Sequence, residues 1–158
     1  MSPWREDLAA YWRQPHIRQA VVAWIANPGF ALACHYRIAH WAVGRGRVGR
    51  GLALLIERRM IARFGCHLSA RATIGPGVRF PHPVGIVIGE RSVVGRGATI
   101  YHGVTLGRRR ADGGDYPRLG DGVTLYCGAT LLGAVVLVDR TVIGAGRLVI
   151  GDAAESEA

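Results

Sequence analysis

The chain of 158 residues contains no lysine: all 20 basic residues are arginine, set against 11 acids for a formal charge of +9. It also lacks any apolar run near the roughly 20 residues that a bilayer-spanning helix needs. The longest candidate, Val21 to Cys34, is broken by Asn27-Pro28-Gly29. Only three cysteines occur, Cys34, Cys66 and Cys127, an odd number at wide spacing. That pattern excludes a disulfide framework and a CxxC metal site and predicts buried free thiols. The stretch Met1-Ser2-Pro3-Trp4-Arg5-Glu6-Asp7 has no basic segment leading into an apolar one. No secretory leader is therefore expected, and a cytoplasmic location is.

An isoelectric point near 10.7 raises the question of nucleic acid. The arginines are scattered, however, with small clusters only at 45–50, 58–59 and 108–110. No helix-turn-helix, zinc-finger or RNP-type pattern accompanies them. Neither a nucleic-acid nor a membrane partner is expected; the positive field suits an anionic small molecule instead. With 49% hydrophobic and 20% charged residues, the chain has the composition of a packed domain.

Glycine divides the chain. Of 23 glycines, 18 fall from Gly65 onward. Before that point the spacing is helical, as in Leu8, Tyr11, Trp12 and then Ile17, Val21, Trp24, Ile25. Pro15 and Asn27-Pro28-Gly29 are breaks. A helix is predicted from Pro28 or Gly29 to about Val43, ending at Gly44-Arg45-Gly46, and another from Leu52 to Phe64. Trp12, Trp24 and Trp41 are read as packing residues. So few short helices cannot bury all this apolar surface alone, and must lie against the rest of the chain or a second subunit.

After Phe64 the period becomes six. Large apolar residues recur at Leu68, Ile74, Phe80, then Ile88, Val94, Ile100, Leu106, then Leu119, Leu125, Leu131, Leu137, Ile143 and Val149. Glycine often follows, and a small or β-branched residue stands four places on, as at Val78, Ala98, Val123 and Ala129. A six-residue repeat fits neither a helix nor a hairpin meander; it marks a solenoid. Each repeat gives a short strand and a tight turn, and three repeats give one triangular coil. The reading is an α+β chain: a helical segment over 1–64, a parallel β-helix over 65–151, and a disordered tail over 152–158.

Chemistry belongs where the period slips. The first slip adds two residues within 80–87, where Pro81 and Pro83 flank His82 and predict a rigid corner with the ring outward. The second, over 108–118, reads as a polar loop thrown out from the coils. Once the first slip is counted, His82 and His102 are expected at equivalent places in successive coils.

Several stretches resemble the serine acetyltransferase family: Ile74-Gly75-Pro76-Gly77, the run from His82 to Glu90, the run from Ile100 to Gly107, Gly113-Gly114-Asp115, and Ile143-Gly144-Ala145-Gly146. Upstream, Pro28-Gly29-Phe30 through Trp41 looks like the helix that precedes that family's coils. The resemblance implies a left-handed β-helix, acetyl-CoA as cosubstrate with no metal, a hydroxylated acceptor, and a homotrimer or dimer of trimers with sites between subunits. It assigns His82 as the general base, a task suited to a group titrating near neutrality. Backbone N–H groups of the groove would receive the oxyanion. It places His102 in the groove, and main-chain groups near Gly107, Cys127 and Ala145 along the CoA arm. Arg108, Arg109 and Arg110 are assigned either to an anionic acceptor or to CoA phosphates. The family's Pro-rich continuation after the last coil is absent here, which predicts altered CoA binding.

The departures are as specific. The aspartate that the family pairs with its base is His67 here, which can orient His82 but cannot balance an imidazolium. The aspartate before the base is Pro81, and an acceptor-site aspartate of the helical part aligns with Gln14. The loop's Arg-His-Pro reads Tyr116-Pro117, after Asp115. The expectation is an O-acetyltransferase whose acceptor is not free L-serine. The alternatives are a noncatalytic assembly subunit and serine O-acetyltransferase proper. A three-histidine metal site is disfavoured because His67, His82 and His102 lie 15 and 20 residues apart.

Overall fold

The computed structural model describes residues 2–12, 17–110 and 114–151, with the side chains of 17–20 excepted. Four helices come first: α1 (Pro3–Tyr11), α2 (Ile17–Ala26), α3 (Pro28–Val43) and α4 (Gly46–Phe64). Asn27 caps α3 by accepting the Phe30 N–H at 3.0 Å, and Pro28 supplies a first helical residue that needs no donor. The last helix starts at Gly46, six residues before the expected Leu52. Gly49 is a contact rather than a break: a Cβ on it would stand 2.2 Å from the Ala42 carbonyl oxygen. Helices α3 and α4 can approach this closely only with small residues there.

Every strand that follows is short and parallel. The first sheet stacks β1 (His67–Leu68), β3 (Val87–Ile88), β6 (Thr105–Gly107), β9 (Thr130–Gly133) and β12 (Leu148–Gly151). The second stacks β2 (Thr73–Ile74), β4 (Val93–Val94), β7 (Arg118–Leu119) and β10 (Val136–Leu137). The third stacks β5 (Thr99–Ile100), β8 (Thr124–Leu125) and β11 (Val142–Ile143), and Arg79 bridges to Thr99 beneath it. The six-residue anchors are the residues that register across coils, as in Leu68, Ile88, Leu106, Leu131 and Val149. From Leu68 to Leu131 each anchor is 4% exposed or less, and together they form one continuous core. The small residues four places on are buried as well, Val78, Ala98, Val123 and Ala129 all at 0%.

The helices close the open edge of the first coil, where strands would otherwise present unpaired backbone groups. Tyr36 Oη accepts the Ile74 N–H at 3.0 Å and donates to the Ala72 carbonyl at 2.7 Å. Arg37 donates to the carbonyls of Ile74 and Gly75 and pairs bidentately with Asp7, at 2.8 and 3.0 Å. Asp7 also accepts the Gly77 N–H at 2.8 Å, and Tyr11 Oη accepts the Phe80 N–H at 2.7 Å. Burial outweighs the nearby Arg79 and Arg37 charges and pushes the Tyr11 and Tyr36 hydroxyls up to about 12. The helical segment is thus the polar cap of the solenoid.

The apolar surface left over by the helices lies partly on α2, where Val21, Val22 and Ile25 are exposed by 59–68% and, among the described side chains, Ala23 and Trp24 reach the rest of the protein. The packing expectation for Trp41 needs correction: it is 55% exposed, with the Arg45 guanidinium 3.4 Å above its ring. Cys34 and Cys66 are buried as expected, and desolvation holds the Cys34 thiol up at about 12; Cys127 is half-buried. No helix among the described residues is long and apolar enough to cross a membrane.

Candidate functional site

The corner between the third and first sheets is built by one repeated backbone conformation. Gly65, Gly85, Gly103, Gly128 and Gly146 all have φ between 63° and 70°, a region open to glycine and costly for other residues. They stand one above another: Gly85 N–H donates to Gly65, Gly103 to Val84, Gly128 to His102 and Gly146 to Cys127, at 2.8–3.1 Å. Gly65 serves twice, since it also caps α4 by donating to the Ile61 carbonyl. The preceding residues, Val84, His102, Cys127 and Ala145, therefore form a ridge along the corner.

This register corrects the expectation for the histidines. Val84, not His82, lies beneath His102, because the two extra residues fall between Phe80 and Val84. His82 sits in that inserted turn with φ 50°, one of two non-glycine residues with positive φ among those described. Its carbonyl accepts the Val84 N–H at 2.8 Å, closing a three-residue turn around the buried Pro83. Phe80 is fixed on the other side by Tyr11. The backbone is thus tied on both flanks while the imidazole is exposed and Pro81 is half-buried. Strain of this kind persists only where surrounding contacts over-determine it.

His67 occupies the outward face of β1, beside Val87 of β3 and then Thr105 and Thr130. It is exposed, and no hydrogen bond joins it to His82 among the described residues. Its ring lines a cleft of about 480 Å³ between α4 and the first sheet, which Arg108 and Tyr116 also border. His82 does not line that cleft. The two histidines are on adjoining surfaces, not in direct contact.

The loop after β6 rejoins the coils at Pro117, whose carbonyl accepts the Val93 N–H at 3.0 Å. Tyr116 packs its ring on Gly89, where a Cβ would stand 2.3 Å from Tyr116 Cε1. Arg91 lies 5.5 Å from the Tyr116 ring centre and donates to the Gly114 carbonyl at 2.9 Å. Asp115 is exposed. Arg108, Arg109 and Arg110 do not form one patch: Arg108 faces the cleft, while Arg109 lies against Gly133 at the end of β9, in the next coil. The residues expected along a CoA arm also divide, since Cys127 and Ala145 belong to the ridge but Gly107 ends β6 on the first sheet, beside Leu132. Gln14 lies outside the described residues. Missing from the sequence reading were Tyr11, which ties down the His82 turn, and Arg50, which reaches the cleft from α4. No periodicity marks a long-range contact of that kind.

Short parallel strands in three sheets, a helical cap and an inserted histidine turn invite comparison with known proteins. Serine acetyltransferase 2 of Arabidopsis thaliana is 36% identical over 150 residues, covering 94% of this chain. The crystal structure of serine acetyltransferase from Neisseria gonorrhoeae superposes with a TM-score of 0.81 at 34% identity, over 92% of this chain. The chain is a homologue of the serine acetyltransferases. Its coils are the left-handed parallel β-helix of those structures. A further serine acetyltransferase structure, a complex with CoA, matches with a TM-score of 0.76 at 29% identity, over 92% of this chain and 60% of that one. This chain spans 46% of the length of the Arabidopsis relative and 57% of the Neisseria one. No protein-family model matches it.

Proposed function

We propose that this protein is an acetyl-CoA-dependent O-acetyltransferase of the serine acetyltransferase kind, with His82 as general base. The observation that carries this reading is the His82 turn: an exposed imidazole on a backbone held rigid by two prolines, Tyr11 and Val84, at the position of the family's base. An alcohol does not ionise at pH 7, so its proton must leave as the hydroxyl oxygen attacks the thioester carbonyl. An imidazole accepts that proton and returns it to the departing CoA thiolate. Rigidity matters because misplacement by 1 Å costs about 10²-fold.

The ridge beside the turn supports the second half of the chemistry. The N–H groups of His102, Cys127 and Ala145 donate to nothing within the described residues, whereas the glycines after them are all engaged. Successive coils stand about 4.8 Å apart, so these donors form a ladder that suits the amides of a pantetheine arm and an oxyanion. A complex with CoA is known for a homologous serine acetyltransferase. A homotrimer or a dimer of trimers accords with this reading, since the exposed Val136, Val138 and Leu148 of the outer faces would gain cover.

The expectation of an acceptor other than free L-serine finds no support in these relatives, which are named as serine acetyltransferases. L-Serine therefore heads the acceptor panel. The test is thiol release from acetyl-CoA, with and without each hydroxylated acceptor, for the wild type and His82→Ala. The variant should lose about 10²- to 10⁴-fold in turnover while remaining folded. Undiminished turnover in it would remove His82 from the mechanism, and no turnover by the wild type on any acceptor would favour an assembly subunit.

A further inference from the structure

The cleft beside His67 has its own chemistry. Helix α4 supplies one wall, including Arg50 and Glu57; the first sheet and the loop after β6 supply the other, with His67, Arg71, Glu90 and Arg108. Its volume of about 480 Å³ is that of a small-molecule site. The two carboxylates are already engaged: Glu57 accepts the Ala70 N–H at 2.6 Å, and Glu90 pairs with Arg71 at 3.5 Å. Arg50 and Arg108 have no acidic partner among the described residues. The amide leaves the charge of Glu57 in place, but the three arginines of the cleft (Arg50, Arg71 and Arg108) outnumber its two carboxylates, so its net charge is positive, with Arg50 and Arg108 on opposite walls. The Tyr116 hydroxyl and the His67 ring, which add neutral hydrogen-bonding groups, have no hydrogen-bond partner among those residues either.

We propose that this cleft binds a small oxyanion, a carboxylate or phosphate group of a metabolite, gripped between Arg50 and Arg108. Two guanidinium forks closing on one anion give paired charge-assisted bonds, the geometry at which arginine excels. The site does not require His82 or the transfer reaction.

The test is titration of the full-length protein with inorganic phosphate and, separately, malonate, followed by calorimetry at constant ionic strength with chloride as the balancing ion. Saturable binding is expected, weakened about tenfold or more in both Arg50→Gln and Arg108→Gln. Arg47→Gln, one turn earlier on α4 and outside the cleft, removes the same charge and should bind as the wild type does. The stronger of the two probes assigns the ligand to the phosphate or carboxylate class. Absence of saturable binding, or equal weakening in all three variants, overturns the proposal, the latter showing only a diffuse field. Acetyl transfer measured on the same preparations separates the two readings. Anion binding without transfer leaves the cleft standing and removes the enzyme; transfer without anion binding does the reverse.

Discussion

Replacing Tyr36 by Phe removes one oxygen atom and strands two backbone groups of the first coil. The hydroxyl is the acceptor for the Ile74 N–H and the donor to the Ala72 carbonyl, and the residue is 0% exposed, so water cannot take its place. The ring is retained, and no cavity is made. Each orphaned buried group costs about 1–3 kcal/mol, so the expected loss for the two is about 2–6 kcal/mol. With a urea dependence of about 1–3 kcal/mol per molar, the unfolding midpoint should fall by roughly 1–2 M. Tyr11→Phe is the internal comparison, because it strands only the Phe80 N–H and its residue is half-buried. Its cost should be about half as large. Both variants are to be measured by urea denaturation at one protein concentration, since association would otherwise shift the midpoint. A Tyr36→Phe protein within about 0.5 kcal/mol of wild type, or one more stable than Tyr11→Phe, would refute the capping argument.

At position 82 the left-handed backbone costs an L-residue about 1–2 kcal/mol, so His82→Gly should unfold at higher denaturant than His82→Ala; the opposite order would mean the turn is unstrained. Gly95→Ala places a Cβ 2.4 Å from the Gly120 carbonyl group of the next coil and should cost about 3 kcal/mol or more by thermal denaturation. Gly44→Ala, with nothing within 4 Å, should be neutral or slightly stabilising. Burial, with the Arg59 and Arg63 charges adding to it, holds the His35 imidazole below its usual 6.5. The unfolded chain then takes up the proton first, so His35 contributes stability fully above pH 6.5 and loses it as pH falls through the lowered folded value. His35→Phe should flatten the acid side of the stability profile; an unchanged slope would exclude His35 as its source.

What the sequence determined by itself was the repeat and its consequences. Six-residue spacing from Leu68 to Val149 specifies inward-facing anchors, because one side chain per short strand must fill the prism whatever surrounds it. The two slips of period located the His82 turn and the loop before Arg118 for the same reason: a solenoid tolerates extra residues only outside its stack. The start of α4 was misplaced because glycine reads locally as a break, while Gly49 is present to admit Ala42 from another helix. The pairing of His82 with His102 failed by two residues, since counting shows that residues have been inserted but not on which side of a given residue they fall. Tertiary structure alone decided that Tyr11, Tyr36, Asp7 and Arg37 satisfy the first coil's edge. It alone separated Arg108 from Arg109 and set Arg50 across a cleft from Arg108. Such contacts join residues 30 to 70 positions apart, and nothing periodic in a chain records which distant backbone group a side chain will find.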